Sequence, residues 1–247
     1  MLTCLSDCLN LLHFLTSVKI LLIEKYFCNF DCMNLKIYCL FILCLLTLSS
    51  YSQTYIIKIK TSEGVVKVML YDSTPKHRDN FIKLCNEKFY DSLLFHRVIK
   101  GFVAQGGDPV SKKCSDTFTL GDGDLGYTIP KEFVTSYYHK RGAFAQARDD
   151  RPDMASSACQ FYIVQGKISN DSILEKAYKR NNYKQPADHE KVYRTTGGIP
   201  HLDMRYTVYG EVISGMDVVY KICSLPTNGK DRPLKNVRIK TIKIKKV

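Results

Sequence analysis

The sequence predicts a mainly β fold: a closed or nearly closed sheet capped by two helices. Short alternating polar–apolar runs recur from Tyr55 to the C-terminus, turn residues separate them, and only two core segments carry a helical stripe. At 247 residues and 45% hydrophobic composition, the chain can fill one full core and still carry additions.

Tyr55 to Lys60 alternates, Ser62-Glu63-Gly64 turns the chain, and Val65 to Tyr71 continues, which is a β-hairpin signal. In "STPKHRDNFIKLCNEKFY", Ser73 or Thr74 is a candidate N-cap and Pro75 fits the first turn. Phe81, Leu84 and Cys85 share one face, so this is a helix of about three turns. "FHRVIKGFVAQGGDP" (Phe95–Pro109) then resumes strand character. Further strands are expected at Gly142–Ala147, Gln160–Gln165, Tyr206–Ile213 and Val237–Ile244, with a second short helix from Gly215. The segment Lys167–Pro200 breaks this rhythm, being dense in charge and almost without alternation. Ser172–Glu175 matches a capping box, so the segment reads as an insertion with one or two helices lying against the main body.

The first fifty residues differ from the rest. From Met33, Lys36 supplies a charge, Ile37–Leu48 form a 12-residue apolar run, and Ser50 and Ser52 are small residues suited to cleavage. A membrane span needs about 20 residues, so residues 33–52 read as a secretory signal cleaved near Ser52–Gln53. Residues 1–32 read as an upstream extension or a mis-called start. Their alternative role, a signal anchor over Leu9–Phe30, is weakened by Lys19, Glu24 and Lys25. The expectation is an exported protein, periplasmic or secreted, without a stable membrane anchor. Residues 53–247 would form its folded domain.

The formal net charge is +12, and removing residues 1–52 leaves it unchanged because that segment holds three basic and three acidic residues. Basic residues are scattered. Their one cluster, Lys235–Lys246, alternates with Val and Ile as on the wet face of an edge strand, where lysines also discourage unwanted pairing. This argues against nucleic acid as a partner. Cys85, Cys114, Cys159 and Cys223 are widely spaced and form no CxxC pair, so they read as small buried hydrophobes and not as zinc ligands or a redox motif.

Conventional catalytic patterns fail. "GDGDLG" (Gly121–Gly126) satisfies G-x-G-x-x-G, but "YTIPKEF" follows instead of a helix, so it is a glycine-rich loop and not a dinucleotide site. Asp122 and Asp124 are too few for a calcium loop. His77, His96, His139, His189 and His201 lie singly without metal spacing and read as surface or structural residues. No G-x-S-x-G occurs. No metal or cofactor is expected.

What remains is Arg97, a permanent charge set among residues that belong in a core and therefore expected to be buried. Odd positions share a strand face, which places Arg97, Val103 and Gln105 together, and kinks at Gly101 and Gly106-Gly107 would bring Phe102 round to them. That would be a concave patch with one fixed cation, one amide and apolar surface. An arginine paired with a carboxylate inside a barrel fits this stretch equally well.

"FHRVIKGFVAQGGDP" resembles the signature of the cyclophilins, peptidyl-prolyl cis–trans isomerases. "GYTIPKEF" (126–133), "RGAFAQAR" (141–148), "SSACQFYIV" (156–164) and "HLDMRYTVYGEVISGMDVV" (201–219) resemble later blocks of that family in the right order. Secreted bacterial members with an insertion before the last blocks are the most similar in pattern. The resemblance implies a closed eight-stranded antiparallel β-barrel capped by two α-helices, plus the helical insertion at 167–200. It implies a monomer acting on proline-containing polypeptides as an isomerase assisting folding. The alternative is a prolyl-peptide-binding or holdase module using the same groove without turnover.

Residue by residue, the resemblance places the catalytic arginine at Arg97, the pocket phenylalanine at Phe102 and the active-site glutamine at Gln105. Val103 stands where methionine is usual. Ala147 and Arg148 match the edge where substrate backbone pairs. Gln160 and Tyr162 match the second glutamine and the aromatic wall, and Leu202 matches the leucine closing the proline pocket. Tyr206 stands where many relatives have histidine. His201 stands where cyclosporin-sensitive relatives have tryptophan, and this chain has no Trp, so high cyclosporin affinity is not expected. Cys159 replaces a serine.

Overall fold

The computed structural model describes residues 54–116 and 118–247, so the signal-like segment and the residues before it lie outside the described part. Eight strands close a barrel: β1 (Tyr55–Thr61), β2 (Val65–Leu70), β3 (Leu94–Val98), β4 (Val103–Gly106), β6 (Ala143–Gln146), β8 (Phe161–Val164), β9 (Val208–Ser214) and β10 (Val237–Lys246). Their order around the barrel is β1-β10-β3-β4-β8-β6-β9-β2, closed by the β1–β2 hairpin, and the paired strands run antiparallel. The short strands β5 (Thr128–Ile129) and β7 (Ser156–Ser157) pair separately.

Alternation assigns each strand residue a side. Ile57, Ile59, Val66, Val68, Phe144, Phe161, Ile163 and Tyr209 enter the main core. Their neighbours Ala143, Ala145, Tyr162, Val164 and Val208 belong to a second, outer cluster. Helix α1 (Pro75–Asn86) contributes Phe81, Leu84 and Cys85 to the main core. Helix α4 (Met216–Cys223) contributes Val218, Val219, Ile222 and Cys223. These are the two capping helices the sequence predicts. The four described cysteines are free, three of them buried.

Helix α1 begins differently from expectation. Thr74 is the N-cap but makes no side-chain cap bond; its hydroxyl donates to the Tyr71 carbonyl at 3.4 Å. The orphan N–H groups are met instead by distant Glu132, which accepts from the backbone of Lys76 and His77 at 3.0 Å each. The same carboxylate holds the buried His77 ring through Nδ1 at 2.7 Å. Glu132→Ala removes all three bonds and should cost about 2 kcal/mol. Thermal unfolding would show a Tm lowered by roughly 4–8 °C, whereas an unchanged Tm would mean that water replaces this cap fully.

Segment 167–200 holds two helices, α2 (Asp171–Asn181) and α3 (Ala187–Thr195). The capping box at Ser172 is not used: Asn170 is the N-cap, and its side chain accepts from Ile173 N at 3.0 Å. Asn is the stronger cap where the chain enters extended. The segment is tied to the body where Gln185 donates to the Pro200 carbonyl (3.0 Å) and Asn181 to the Asp203 carbonyl (3.1 Å).

"FHRVIKGFVAQGGDP" is two strands and not one. β3 and β4 form a hairpin whose turn carries Gly101 at φ +74°, closed by Phe102 N–H donating to the Ile99 carbonyl at 3.0 Å. Arg97 and Gln105 are Cα partners across it, and the register slips by one residue at His96. The slip moves Arg97 off the face of Phe95, which points into the main core, and onto the side of Val103 and Gln105. Gly107 ends the stretch at φ +97°, where a Cβ would lie 2.2 Å from the Cys159 carbonyl oxygen, so only glycine fits.

Candidate active site

The outer cluster gathers apolar side chains from several elements. Val103, Tyr162 and Leu202 are buried in it, and Phe102 and Tyr206 pack against it. Its aromatic rings meet at defined angles. Phe102 lies parallel to His201 with ring centres 6.0 Å apart, and Tyr206 stands edge-on to Tyr162 at 6.1 Å.

Arg97 sits on the rim. Its side chain is 40% exposed, and Nε approaches the Asp231 carboxylate at 3.5 Å, itself 44% exposed. Its guanidinium carbon lies 6.0 Å from the centre of the Phe102 ring. The expectation of a buried charge is therefore corrected. No desolvation penalty needs compensation, and the carboxylate partner is at the surface and not inside the barrel. An exposed pair of this kind is weak, so the guanidinium can exchange Asp231 for a ligand at little cost.

Gln105 does not hold Arg97, despite being its cross-strand partner. Its amide donates to Gln160 Oε1 at 3.0 Å. Gln160 in turn donates to the carbonyls of Gly121 and Gly123 at 2.7 and 2.8 Å. Gly121 N–H is fixed by buried Asp108. The glycine-rich loop thus positions two site glutamines. Gln105, Ala147, Arg148 and Gln160 line an adjacent open cleft of about 620 Å³ together with that loop.

The expected substrate edge at Ala147 and Arg148 narrows. Ala147 is not an open edge for substrate backbone, because its N–H donates to the Gln160 carbonyl at 2.8 Å and its carbonyl accepts from Ser157 N at 2.9 Å. The residue serves the outer cluster through its methyl group. The Arg148 side chain is buried as well: Nε donates to the Arg205 carbonyl at 2.9 Å, and the guanidinium stacks 4.8 Å from the Tyr206 ring centre. This side chain braces Tyr206, so the substrate edge expected here falls to the Arg148 backbone.

Two features escaped sequence reasoning. Asp231, which faces Arg97, lies more than a hundred residues away in a tight turn at φ +61°. His139 is one of four buried histidines, with His77, His96 and His189, and it bonds the Tyr162 hydroxyl. Only the tertiary fold brings these residues to the site. Among the described residues, no group of His, Cys, Asp and Glu could hold a metal ion.

Comparison with known proteins agrees with this arrangement. Residues 56–244 match the family model of cyclophilin type peptidyl-prolyl cis-trans isomerases. A Streptococcus pyogenes protein described as a bifunctional phosphatase/peptidyl-prolyl cis-trans isomerase is 34% identical over 191 residues, covering 76% of this chain but only 38% of its own length. Peptidyl-prolyl cis-trans isomerase-like 3 of Gallus gallus is 32% identical over 190 residues, covering 76% of this chain and 94% of its own. The crystal structure of a cyclophilin-type isomerase from Cryptosporidium parvum superposes with a TM-score of 0.57 at 25% identity, covering 79% of this chain and 98% of that one. With the closed eight-stranded barrel and its two core helices, the conclusion is that this chain belongs to the cyclophilin-type peptidyl-prolyl cis–trans isomerases.

Proposed function

We propose that this chain accelerates rotation about Xaa–Pro bonds in exported polypeptides, with Arg97 as the group that stabilises the twisted amide. The observation carrying this reading is a guanidinium poised over Phe102 beside the apolar outer cluster. Amide resonance sets a rotation barrier of about 18–20 kcal/mol. Lowering it needs no nucleophile and no proton relay, only withdrawal of the nitrogen lone pair from resonance and a grip on the ring. Arg97 supports the non-conjugated state by charge-assisted hydrogen bonding. Phe102, Val103, Tyr162 and Leu202 grip the proline, and Gln105, held in place by Gln160, offers its remaining amide group to the neighbouring backbone. His201 walls the mouth of the pocket against Phe102; burial holds its pKa below the ordinary value, and the Arg180 charge adds to this.

The test is refolding of a protein whose slow phase is proline-limited, with catalytic amounts of the chain. The slow phase should accelerate with wild type and not with Arg97→Ala. A wild type that binds the substrate without accelerating the slow phase would favour a holdase that uses the groove without turnover, and equal acceleration by both would remove Arg97 from the reading. The dipeptide Ala-Pro, present in a solved structure of the Cryptosporidium enzyme, is a suitable competitor. Export rests on the signal-like composition of residues 33–52. N-terminal sequencing of the native protein should begin near Gln53; a start at Met1 or Met33 would overturn export by cleavage.

A further inference from the structure

Beneath the outer cluster lies a chain of buried polar groups that the reaction itself does not require. His139, Asp203, Tyr162 and Tyr193 are at most 4% exposed. Asp203 Oδ1 accepts from the His139 backbone N–H and from Nδ1, both at 2.9 Å, and Oδ2 accepts from the Tyr193 hydroxyl at 2.7 Å. The other ring nitrogen of His139, Nε2, lies 2.9 Å from the Tyr162 hydroxyl.

The chemistry gives this chain a direction. An ionised Asp203 is an acceptor only, so Nδ1 carries the imidazole proton and Nε2 presents a lone pair. Burial raises the Tyr162 pKa well above its ordinary value, so the phenol keeps its proton and donates to Nε2. Three donors satisfy one buried carboxylate, which is the condition under which such a charge is tolerated. The chain begins on α3, at Tyr193, and ends on a wall of the proline pocket. The His139 carbonyl also accepts from Ile199 N at 2.8 Å, bracing the loop that carries Leu202.

We infer that His139 and Asp203 are positioning residues for catalysis: they lock the Tyr162 ring through its hydroxyl and make α3 a structural part of the proline pocket. This inference rests on the isomerase reading above. Phenylalanine at 162 would fill the same space, so the hydroxyl serves orientation. A ring held by packing alone can pivot, and small misplacements of a pocket wall are expensive in rate.

The experiment compares kcat/KM for an Ala-Pro-containing peptide among wild type, Tyr162→Phe, Asp203→Asn and the double variant. Each single change should lower kcat/KM by roughly five- to tenfold. The double variant should be no slower than the slower single, because both cut one chain. Losses that multiply, or a Tyr162→Phe variant with wild-type kcat and KM, would overturn the inference. If Asp203→Asn fails to fold, Tyr193→Phe replaces it, since it removes one donor on α3, and the same overlap is expected. An inactive wild type would sink the isomerase reading itself. An active wild type with an unaffected Tyr162→Phe would sink only the positioning role.

Discussion

Arg97→Ala should lower isomerase activity by roughly 10²- to 10³-fold, the range seen when one preorganised donor to a developing charge is removed, and should leave the Tm within a degree or two. The two halves of this expectation have separate origins. Activity falls because no other described cation approaches the Phe102 ring. The fold survives because the side chain is 40% exposed and its ionic contact among the described residues, with Asp231, is at the surface. Arg97→Lys should recover little. A lysine keeps the charge but loses the planar fork that can engage the prolyl amide at two points. A peptide isomerisation assay run beside thermal unfolding reads both halves together. Near-wild-type turnover by the alanine variant would remove Arg97 from the mechanism.

The second large effect is on stability, and its source is His96. Its ring is 2% exposed, and among the described residues neither nitrogen has a hydrogen-bond partner of good geometry. Burial depresses its pKa to about 4, partly opposed by the nearby Asp108 charge. In the unfolded chain a histidine titrates near 6.5, so below that pH the unfolded state binds a proton that the folded state refuses. Stability from this group is therefore complete above about pH 6.5 and is lost as pH falls toward the folded value. The loss amounts to about 3 kcal/mol between pH 7 and pH 4. Urea unfolding at pH 7 and pH 4.5 should show the drop in wild type and a clearly smaller one in His96→Leu. Parallel acid losses in both proteins would assign the effect to other groups. The slip in register at His96 is also what turns Arg97 outward, so this variant should be assayed for activity as well.

The barrel was legible because its strands obey period two on a closed sheet. Along β6 and β8, Ala143, Ala145, Tyr162 and Val164 face one way, and Phe144, Phe161 and Ile163 the other. The hairpin at Ile99–Phe102 was not legible, since "VIKGFV" keeps its apolar character through the turn and only Gly101 marks it. Strand parity still grouped Arg97 with Val103 and Gln105, but for a reason it could not contain: the turn pairs Arg97 with Gln105 across the hairpin, while the slip at His96 takes Arg97 off the face of Phe95. The contacts that fix the site were invisible for a different reason. Glu132 against the start of α1, Asp231 against Arg97, and His139 and Asp203 behind Tyr162 are each contacts between distant parts of the chain, which no local spacing encodes. The buried state of Arg97 was misread because an apolar neighbourhood in sequence was taken for an apolar neighbourhood in space.

The central claim is that this groove turns over prolyl bonds without covalent chemistry. Exchange NMR on an Ala-Pro-containing peptide tests it most directly, because uncatalysed cis–trans exchange takes tens to hundreds of seconds and gives no cross-peaks on the mixing timescale. With a few per cent of the protein added, exchange cross-peaks between cis and trans resonances should appear, and they should vanish when Arg97→Ala replaces wild type. Peptide that binds wild type, with shifted resonances but no exchange peaks, would contradict the account.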